Sequence, residues 1–234
     1  MTVSVIIPTF NEEQNIESCL ASLRRQRFAD DDVEIIVVDG NSADKTREIA
    51  EKLADKVIIQ TSRKVGGARN DGAMIARGDV IATTDADCII PADWLQVIHD
   101  SFAATDDLVQ LYGTVYPREP GLKHRVSLGC ANTFSALGYH TRTLYYTLGC
   151  NTAFNRDAFV RAGMYRCIDA GDDLEIAQRM RKIGRVMFNP KMRVQFSMRR
   201  YEQFGTIKSL YEWVYIVAKG GSTTKYSYSK REYK

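Results

Sequence analysis

The first half of the chain alternates short apolar runs with segments whose apolar residues recur at helical spacing. This alternation continues into a helix predicted over residues 94–104 and a strand predicted over 108–112. Strands that are apolar along their whole length are typical of a parallel sheet covered by helices on both faces. The pattern therefore predicts an α/β fold with half of a doubly wound sheet. The four apolar runs are residues 3–8, 33–38, 57–59 and 80–83.

Polar residues and glycines between these runs predict where the first helices begin. Asn11 is expected to cap the first helix, because its side chain can accept a hydrogen bond from a free backbone N–H. Asp44 or Ser42 is expected to cap the second helix, which we predict to run through Lys56. The pair Gly66–Gly67 is expected to open the third helix.

The second half of the chain has a less regular pattern. Residues 113–127 contain two prolines and predict a strand followed by a loop. Residues 132–146 are rich in aromatic side chains, and they predict a helix that covers a groove and buries those aromatics. Helices are also predicted over 174–184 and 206–219. The tail 225–234 is basic and aromatic, and we expect it to be disordered.

Composition narrows the class of protein. The chain has 234 residues, of which 44% are hydrophobic and 26% charged, as in ordinary globular domains. A net charge of +3 gives no reason to expect nucleic acid as a partner. Five scattered cysteines without a C-x-x-C motif predict reduced, mostly buried thiols in a cytosolic protein. No secretory signal or long apolar span is recognisable, so we expect a cytoplasmic location.

Two carboxylates follow the fourth apolar run, at Asp85 and Asp87. If the chain stays extended, both side chains point to the same face. Two neighbouring carboxylates repel each other unless a cation lies between them, and Mg²⁺ or Mn²⁺ is suited to oxygen ligands shared with phosphates. The alternative is a solvated turn, in which Asp is common. The position beyond a buried strand favours the metal, because open α/β sheets bind ligands there.

Polar residues also follow the first and second strands. Residues 9–12 come after the first strand, and Asp39 ends the second. They can act as helix caps, or they can line a pocket for a base and a ribose at the same edge as Asp85 and Asp87. The sequence has neither G-x-G-x-x-G after the first strand nor G-x-x-x-x-G-K-[ST], which argues against dehydrogenases and P-loop enzymes.

A second acidic group occupies residues 169–175, with four carboxylates in seven positions. Acidic residues are favoured at the beginning of a helix, which accounts for one or two of them. The functional alternative is a general base. A hydroxyl that attacks the anomeric carbon of a sugar must lose its proton, and a positioned carboxylate can accept that proton.

Five blocks of the sequence resemble family 2 glycosyltransferases, which have the GT-A fold. Val5–Glu12 resembles the opening Val-Ile-Pro-x-Tyr/Phe-Asn-Glu of that family. Val37–Thr46 resembles its segment Val-Asp-Asp/Gly-x-Ser-x-Asp-x-Thr. Gly67–Ala73 resembles Gly/Ala-x-Ala-Arg-Asn-x-Gly, and Asp85–Asp87 matches Asp-x-Asp. Gly171–Glu175 resembles Gly-Glu-Asp-x-Glu, with Asp in place of Glu at position 172. The resemblance implies a Rossmann-like, mostly parallel sheet with helices on both faces and a smaller acceptor-side region.

The resemblance also implies roles for particular residues. Asp173 would be the catalytic base with Asp172 as its neighbour, and Asp87 would bind Mg²⁺ or Mn²⁺. Arg69 would lie near the nucleotide or its phosphates. The other residues that it assigns to donor binding are Pro8, Thr9, Phe10, Glu12, Asp39, Asp85 and Ala86. The implied reaction is inverting transfer of one sugar from a nucleotide-diphosphate sugar, with UDP- or GDP-sugars as the expected donors.

The acceptor is less defined. Residues 179–200 contain eight basic residues and no acidic one. Such a run is either a solvated face or a surface attracted to anionic lipid. We therefore expect a polyprenyl phosphate or glycolipid acceptor, with peripheral contact at the inner face of the cell membrane. The element at residues 197–201 differs from the Gln-x-x-Arg-Trp of processive synthases and indicates single additions.

The domain organisation follows from these assignments. We expect one glycosyltransferase domain over 1–205, with a nucleotide-sugar half (1–112) and an acceptor and base half (113–205). Residues 206–234 would form a terminal helix and basic tail, with the helix either packed on the domain or lying at a membrane surface. Two other functions stay open: a nucleotidyltransferase acting on a sugar phosphate, and a non-catalytic module that binds nucleotides or sugars. Neither the sugar, the base nor the oligomeric state follows from the sequence.

Overall fold

The computed structural model describes residues 1–28, 32–142 and 147–199, together with Glu202 and Tyr215. Within these residues, seven strands form one sheet and seven helices accompany it. The strands are β1 (Val3–Thr9), β2 (Val33–Asp39), β3 (Lys56–Ile59), β4 (Val80–Thr83), β5 (Leu108–Pro117), β6 (Thr152–Asn155) and β7 (Arg185–Phe196). The helices are α1 (Ile16–Arg24), α2 (Thr46–Leu53), α3 (Lys64–Ile75), α4 (Trp94–Ala103), α5 (Leu122–Thr141), α6 (Arg156–Arg161) and α7 (Asp172–Met180).

The sheet has the strand order β3-β2-β1-β4-β6-β5-β7. All neighbouring strands are parallel except β6, which is antiparallel to both β4 and β5. The predicted mostly parallel sheet is confirmed. The carboxyl ends of six strands and the amino end of β6 consequently meet at one edge, which we call the site edge.

Two hydrophobic clusters explain why the first strands are apolar along their length. In β1, Val5 and Ile7 belong to a cluster with α1, α2 and α4, whereas Ile6 belongs to a cluster with α3, α6 and α7. Each strand residue therefore packs against helices whichever way its side chain points. This double burial removes the polar alternation of a half-exposed strand.

The beginning of the first helix differs from the prediction. Asn11 has a left-handed backbone (φ 53°) and lies ahead of α1, so its expected role as the helix cap is wrong. Its side chain instead accepts a hydrogen bond from the backbone N–H of Ala43 at 2.9 Å. This contact fastens the loop after β1 to the loop after β2, which fixes two of the segments at the site edge.

The boundaries of α2 and α3 also differ from the predicted ones. Asp44 accepts a hydrogen bond from the N–H of Thr46 at 3.0 Å, as a cap would, but α2 ends at Leu53 rather than Lys56. Lys56 already belongs to β3. Helix α3 begins at Lys64, ahead of the glycine pair that was expected to open it. A Cβ on Gly66 would lie 3.0 Å from both Arg166 O and Asp172 Oδ2, so this glycine lets α3 approach the amino end of α7.

The second half differs most. β5 continues to Pro117, and α5 begins at Leu122, ten residues before the predicted helix. Phe134 and His140 on α5 are exposed, so the expectation that the aromatics of this segment are buried is wrong for them. Strand β7 was not predicted at all. All five cysteines are free and three of them are buried, as expected.

Several predictions fall on residues outside those described. They concern Tyr145, Tyr146, Arg200, the terminal helix 206–219 apart from Tyr215, and the tail 225–234. In the described part of the chain, no helix combines the length and the apolar character required to cross a bilayer.

A buried carboxylate at the opposite edge of the sheet predicts how stability depends on pH. Burial alone would raise the pKa of Glu34, but hydrogen bonds from Lys56, the Arg77 backbone and Ser4 lower it to about 2. This contribution is fully present above pH 4.5 and is lost as the pH falls towards 2. Glu34→Gln should cost on the order of 2–3 kcal/mol at pH 7 and flatten the acid limb of urea unfolding. The exposed Glu51 on α2 supplies the control, since Glu51→Gln should leave that limb unchanged.

Candidate active site

The residues predicted to be functional lie along the site edge. Thr9 and Asp39 end the neighbouring strands β1 and β2, and Asp85 and Asp87 follow β4. The segment 147–151 leads into β6 at the same edge, because β6 runs in the opposite direction. Two further segments reach the site: the amino end of α7, which carries Asp172 and Asp173, and residues 197–199 after β7. The sheet thus brings together residues that are far apart in sequence.

Arg69 is at the centre of this arrangement. Its Nη2 lies 3.1 Å from Asp85 Oδ1, and its Nη1 lies 3.3 Å from Asp172 Oδ2 and 3.5 Å from Asp173 Oδ1. The guanidinium also lies over the ring of Tyr165, 5.4 Å from the centroid. Only 5% of the Arg69 side chain is exposed. One buried cation therefore joins the Asp-x-Asp loop to the acidic start of α7, and the predicted role of Arg69 at the donor phosphates stays a prediction.

The two acids of α7 have different surroundings. Asp173 Oδ2 accepts a hydrogen bond from the N–H of Gly149 at 2.9 Å, and its backbone carbonyl accepts one from Thr147 Oγ1 at 2.8 Å. Its side chain is partly exposed, whereas that of Asp172 is buried. Burial and the neighbouring Asp173 raise the pKa of Asp172 well above its usual value. Asp173 is therefore the member of the pair that is both accessible and held in position.

Gly149 is required for this packing. A Cβ at this position would lie 2.5 Å from both Nη atoms of Arg69, so any larger residue would displace the guanidinium. The same residue gives its N–H to Asp173. The sequence analysis assigned no role to Gly149, and its contact with Arg69 is visible only in three dimensions.

A second cation, Arg199, contacts the other side of the Asp-x-Asp loop. Its Nη2 donates to both carboxylate oxygens of Glu12 at 2.7 and 2.9 Å, and it lies 3.9 Å from Asp87 Oδ2. Arg199 belongs to the basic run noted in the sequence, but its contact with the predicted donor pocket was missed. Recognising β7 as a strand would have been the signal, because Ser197–Arg199 follow its carboxyl end and therefore lie on the site edge.

Hydrogen bonds to neighbouring elements fix the Asp-x-Asp loop. Ile89 exchanges two backbone hydrogen bonds with Gln195 of β7, each 2.9 Å long, and the N–H of Thr84 donates to Ile6 of β1. Ala86 between the two acids is buried. The loop is therefore held from both sides, with Asp85 facing Arg69 and Asp87 facing Arg199.

The remaining predicted donor residues surround the ends of β1 and β2. Pro8 is partly buried, and Phe10 exposes about half of its surface and is free to stack on a base. Thr9 is buried, and within the described residues its Oγ1 has no hydrogen-bond partner. Buried polar atoms are nearly always paired in folded proteins, so this hydroxyl favours a ligand or a water at the site. The donor-binding roles of these residues stay predictions.

The carboxylate of Asp39 already accepts hydrogen bonds from its own loop. It accepts hydrogen bonds from Ser42 Oγ at 2.5 Å and from the Ser42 N–H at 3.0 Å. Asp39→Ala should therefore weaken nucleotide binding and also lower stability by about 1 kcal/mol, because it leaves the partly buried donors of Ser42 unpaired. Calorimetry with UDP and GDP, combined with thermal unfolding, measures both effects.

The control for that experiment is Ser42→Ala, which removes one hydrogen bond but keeps the carboxylate. If Asp39 contacts the nucleotide, Ser42→Ala should retain most of the affinity. Equal losses of affinity in both variants would show that Asp39 acts only by shaping the loop.

The donor set can be tested against a metal ion. Among the described residues, no three His, Cys, Asp or Glu side chains converge to hold a metal by themselves. Asp85, Asp172 and Asp173 are near one another, but the guanidinium of Arg69 lies between them. Asp87 remains as one carboxylate at the edge, which fits an ion that takes its other ligands from substrate phosphates and water, as Mg²⁺ commonly does.

The sequence and the fold of this chain are similar to those of known glycosyltransferases. The model of the family described as "Glycosyl transferase family 2" matches residues 4–165, more than half of the chain. A glucosyl-dolichyl phosphate glucuronosyltransferase from Haloferax volcanii is 29% identical over 178 residues, covering 70% of this chain and 56% of the relative. The chain spans between about a third and just over half of the length of curated relatives that it matches.

Solved structures agree with the fold. TarS from S. aureus, in complex with UDP-GlcNAc, has a TM-score of 0.66 at 20% identity and covers 84% of this chain and 58% of its own. The mannosyltransferase PcManGT from Pyrobaculum calidifontis, in complex with GDP-Man and Mn²⁺, has a TM-score of 0.65 at 25% identity. The match covers 82% of this chain and 56% of PcManGT. The GT-A fold implied by the sequence is confirmed, and the chain belongs to glycosyl transferase family 2.

Proposed function

We propose that this chain transfers one sugar from a nucleotide-diphosphate sugar to an acceptor, with inversion at the anomeric carbon. The observation that carries the proposal is the convergence of Asp85 and Asp173 on the same guanidinium of Arg69. The loop predicted to hold the donor and the residue predicted to activate the acceptor are thus adjacent. A module that only bound nucleotides would have no need of an accessible carboxylate there.

In the proposed reaction, the donor sugar lies between the Asp-x-Asp loop and α7. When the acceptor is a hydroxyl, such as that of a glycolipid sugar, Asp173 accepts its proton as the oxygen attacks the anomeric carbon. A phosphate acceptor would attack through an oxygen that is already ionised. The nucleoside diphosphate leaves from the opposite face, so the configuration inverts. The N–H of Gly149 holds Asp173 in place, and Arg69 limits the repulsion between Asp172 and Asp173.

The leaving diphosphate needs positive charge. Asp87 would hold Mg²⁺ or Mn²⁺ together with the donor phosphates, and this ion would supply charge to the leaving group. Arg199 lies on the same side and adds a fixed cation there. Fixed positive charge at the position where negative charge develops is an effective form of transition-state stabilisation.

The relatives support the choice of donors and acceptor. PcManGT is described with GDP-Man and Mn²⁺ and TarS with UDP-GlcNAc, which favours UDP- or GDP-sugars as donors here. The Haloferax relative acts on a glucosyl-dolichyl phosphate, and this favours a lipid-linked acceptor, such as a polyprenyl phosphate or a glycolipid, reached at the inner face of the membrane. We further propose single rather than processive additions. Residues 1–112 would hold the donor, and residues 113–205 would hold the acceptor and the base.

Measuring the released products tests the proposal and separates the alternatives. The chain is incubated with UDP- and GDP-sugars, with Mn²⁺ or EDTA, and nucleoside diphosphate release is followed with time. Metal-dependent release supports the glycosyltransferase. Pyrophosphate formation from a nucleoside triphosphate and a sugar phosphate would instead identify a nucleotidyltransferase. Nucleotide binding without turnover, even with lipid-linked acceptors present, would identify a binding module.

A further inference from the structure

Helix α5 exposes several of its larger apolar side chains to solvent. Leu122, Val126 and Leu137 are 79%, 56% and 57% exposed. Their spacing places them on one side of the helix, together with the exposed Cys130 and Thr133. The side that packs against the sheet carries His124, Leu128, Ser135 and Gly138. We call the outward side the α5 face.

The charge around the α5 face is mainly positive, and the one acidic side chain that the structure describes against α5 is Glu202, 4.0 Å from Lys123 at the amino end. Lys123 and Arg125 are exposed at the amino end of α5, and Arg142 is exposed just beyond its carboxyl end. Between Pro120 and Arg156 the sequence contains no Asp or Glu. From Val126 to Tyr139 the helix carries no charged residue at all. An apolar side bounded by cations is the pattern of a helix that lies in the interface of an anionic membrane.

We propose that the α5 face rests on the surface of an anionic lipid bilayer. The inference rests on the proposed function, because it names the surface that would bring a lipid-linked acceptor to the site. The apolar side chains would enter the headgroup region, and the cations would pair with lipid phosphates. An extended apolar patch of this kind on a water-exposed helix marks an interaction surface.

The position of α5 relative to the site fits this role. The chain enters α5 from the carboxyl end of β5, where Arg118 Nη1 donates to Asn15 Oδ1 at 3.0 Å beside the donor pocket. After α5 the chain returns to the site at Thr147 and Gly149, which hold Asp173. Both segments that flank α5 thus line the site edge. A bilayer against the α5 face would lie beside the opening that an acceptor uses.

Charge argues against a second copy of the chain as the occupant of the α5 face. In a two-fold pairing of α5 with itself, Lys123 and Arg125 would approach Arg142 of the other copy or their own equivalents. The helix itself has no acidic residue, and Glu202 offsets charge only at Lys123, 4.0 Å away, so the repulsion that involves Arg125 and Arg142 stays. Like charges placed opposite each other disfavour an interface, whereas an anionic surface complements all three.

Vesicle flotation of the full chain tests the proposal. Vesicles of phosphatidylcholine alone are compared with equimolar phosphatidylcholine and phosphatidylglycerol, at low and at high salt. The wild type should float with the anionic vesicles at low salt, and less so at high salt. The double variant Val126→Asp/Leu137→Asp should reduce the floated fraction at least about tenfold, because it places carboxylates on the apolar side. Arg125→Gln/Arg142→Gln should weaken flotation and its salt dependence.

The matched control is Met74→Asp/Val160→Asp, which alters two exposed apolar residues on α3 and α6. It should float like the wild type. The proposal is overturned if the wild type does not float, if the α5 variant floats equally well, or if the control loses flotation as much. It is also overturned if the α5 substitutions convert a dimer into a monomer in sedimentation without vesicles.

Donor turnover separates this inference from the proposed function. Nucleoside diphosphate release in solution, without vesicles, should be the same in the α5 variants and the wild type. Flotation that depends on α5 in a chain that never turns over a donor would refute the enzyme but support the surface. Turnover of the donor without flotation that depends on α5 would support the enzyme and refute the membrane surface.

Discussion

Asp173→Asn should slow sugar transfer at least about 10²-fold and leave donor binding unchanged, the usual effect of removing a general base. The amide has nearly the same shape as the carboxylate and can still accept from the N–H of Gly149, but it cannot take up the acceptor proton. Transfer rates and calorimetric donor affinity, measured on the same preparation, separate catalysis from binding.

Asp172→Asn is the matched control, one residue away on the same helix. Its effect should be smaller, because the buried Asp172 has a raised pKa and is less exposed to an acceptor. If Asp172→Asn proved the more damaging change, the two residues would have to exchange roles. A loss of donor affinity in Asp173→Asn would indicate that the residue binds the donor instead.

Asp87→Asn should abolish transfer and keep the fold. A neutral amide is a poorer ligand for Mg²⁺ or Mn²⁺ than a carboxylate. Calorimetric titration of Mn²⁺ in the presence of UDP provides a readout independent of turnover, and the titration signal should disappear in the variant. The unfolding temperature should change little, because the ion pair with Arg199 that the variant loses is long, at 3.9 Å.

Asp93→Asn gives a surface control for Asp87→Asn, since Asp93 is half-exposed and pairs with Arg193 at the start of α4. It should retain full activity and metal binding. Full activity of Asp87→Asn, or of the wild type in EDTA, would contradict a role for Asp87 as a metal ligand.

The parallel half of the fold could be predicted because the burial of each residue matches its hydrophobicity. β1 and β2 are buried on both faces, so their sequences are largely apolar and their boundaries were predicted within one residue. The candidate site could also be predicted in outline, since polar residues at the ends of parallel strands must meet at one edge. The family resemblance then supplied roles that spacing alone could not.

The second half could not be predicted as well, because its pattern is masked by charge and by exposure. In β7, Val186, Met192 and Val194 are buried between exposed basic residues, and the irregular pairing with β5 interrupts the alternation. Helix α5 exposes its apolar residues, so a search for a buried stripe locates it wrongly. The contact of Arg69 with Asp172 and Asp173 was missed because those residues are 103 and 104 positions away, and the sequence pattern carries no information about contacts over that separation.

The reversed strand β6 also determines the order in which the protein can assemble. β6 lies between β4 and β5 in the sheet, although it is synthesised after both. A nascent or truncated chain that ends before residue 152 would leave one edge of β4 open to pairing with other chains. Residues 1–112 are therefore not a separable folding unit, and a fragment of this range should aggregate where the longer chain folds. Because β4 pairs with a strand so distant in sequence, closure of the sheet should be a slow step in folding.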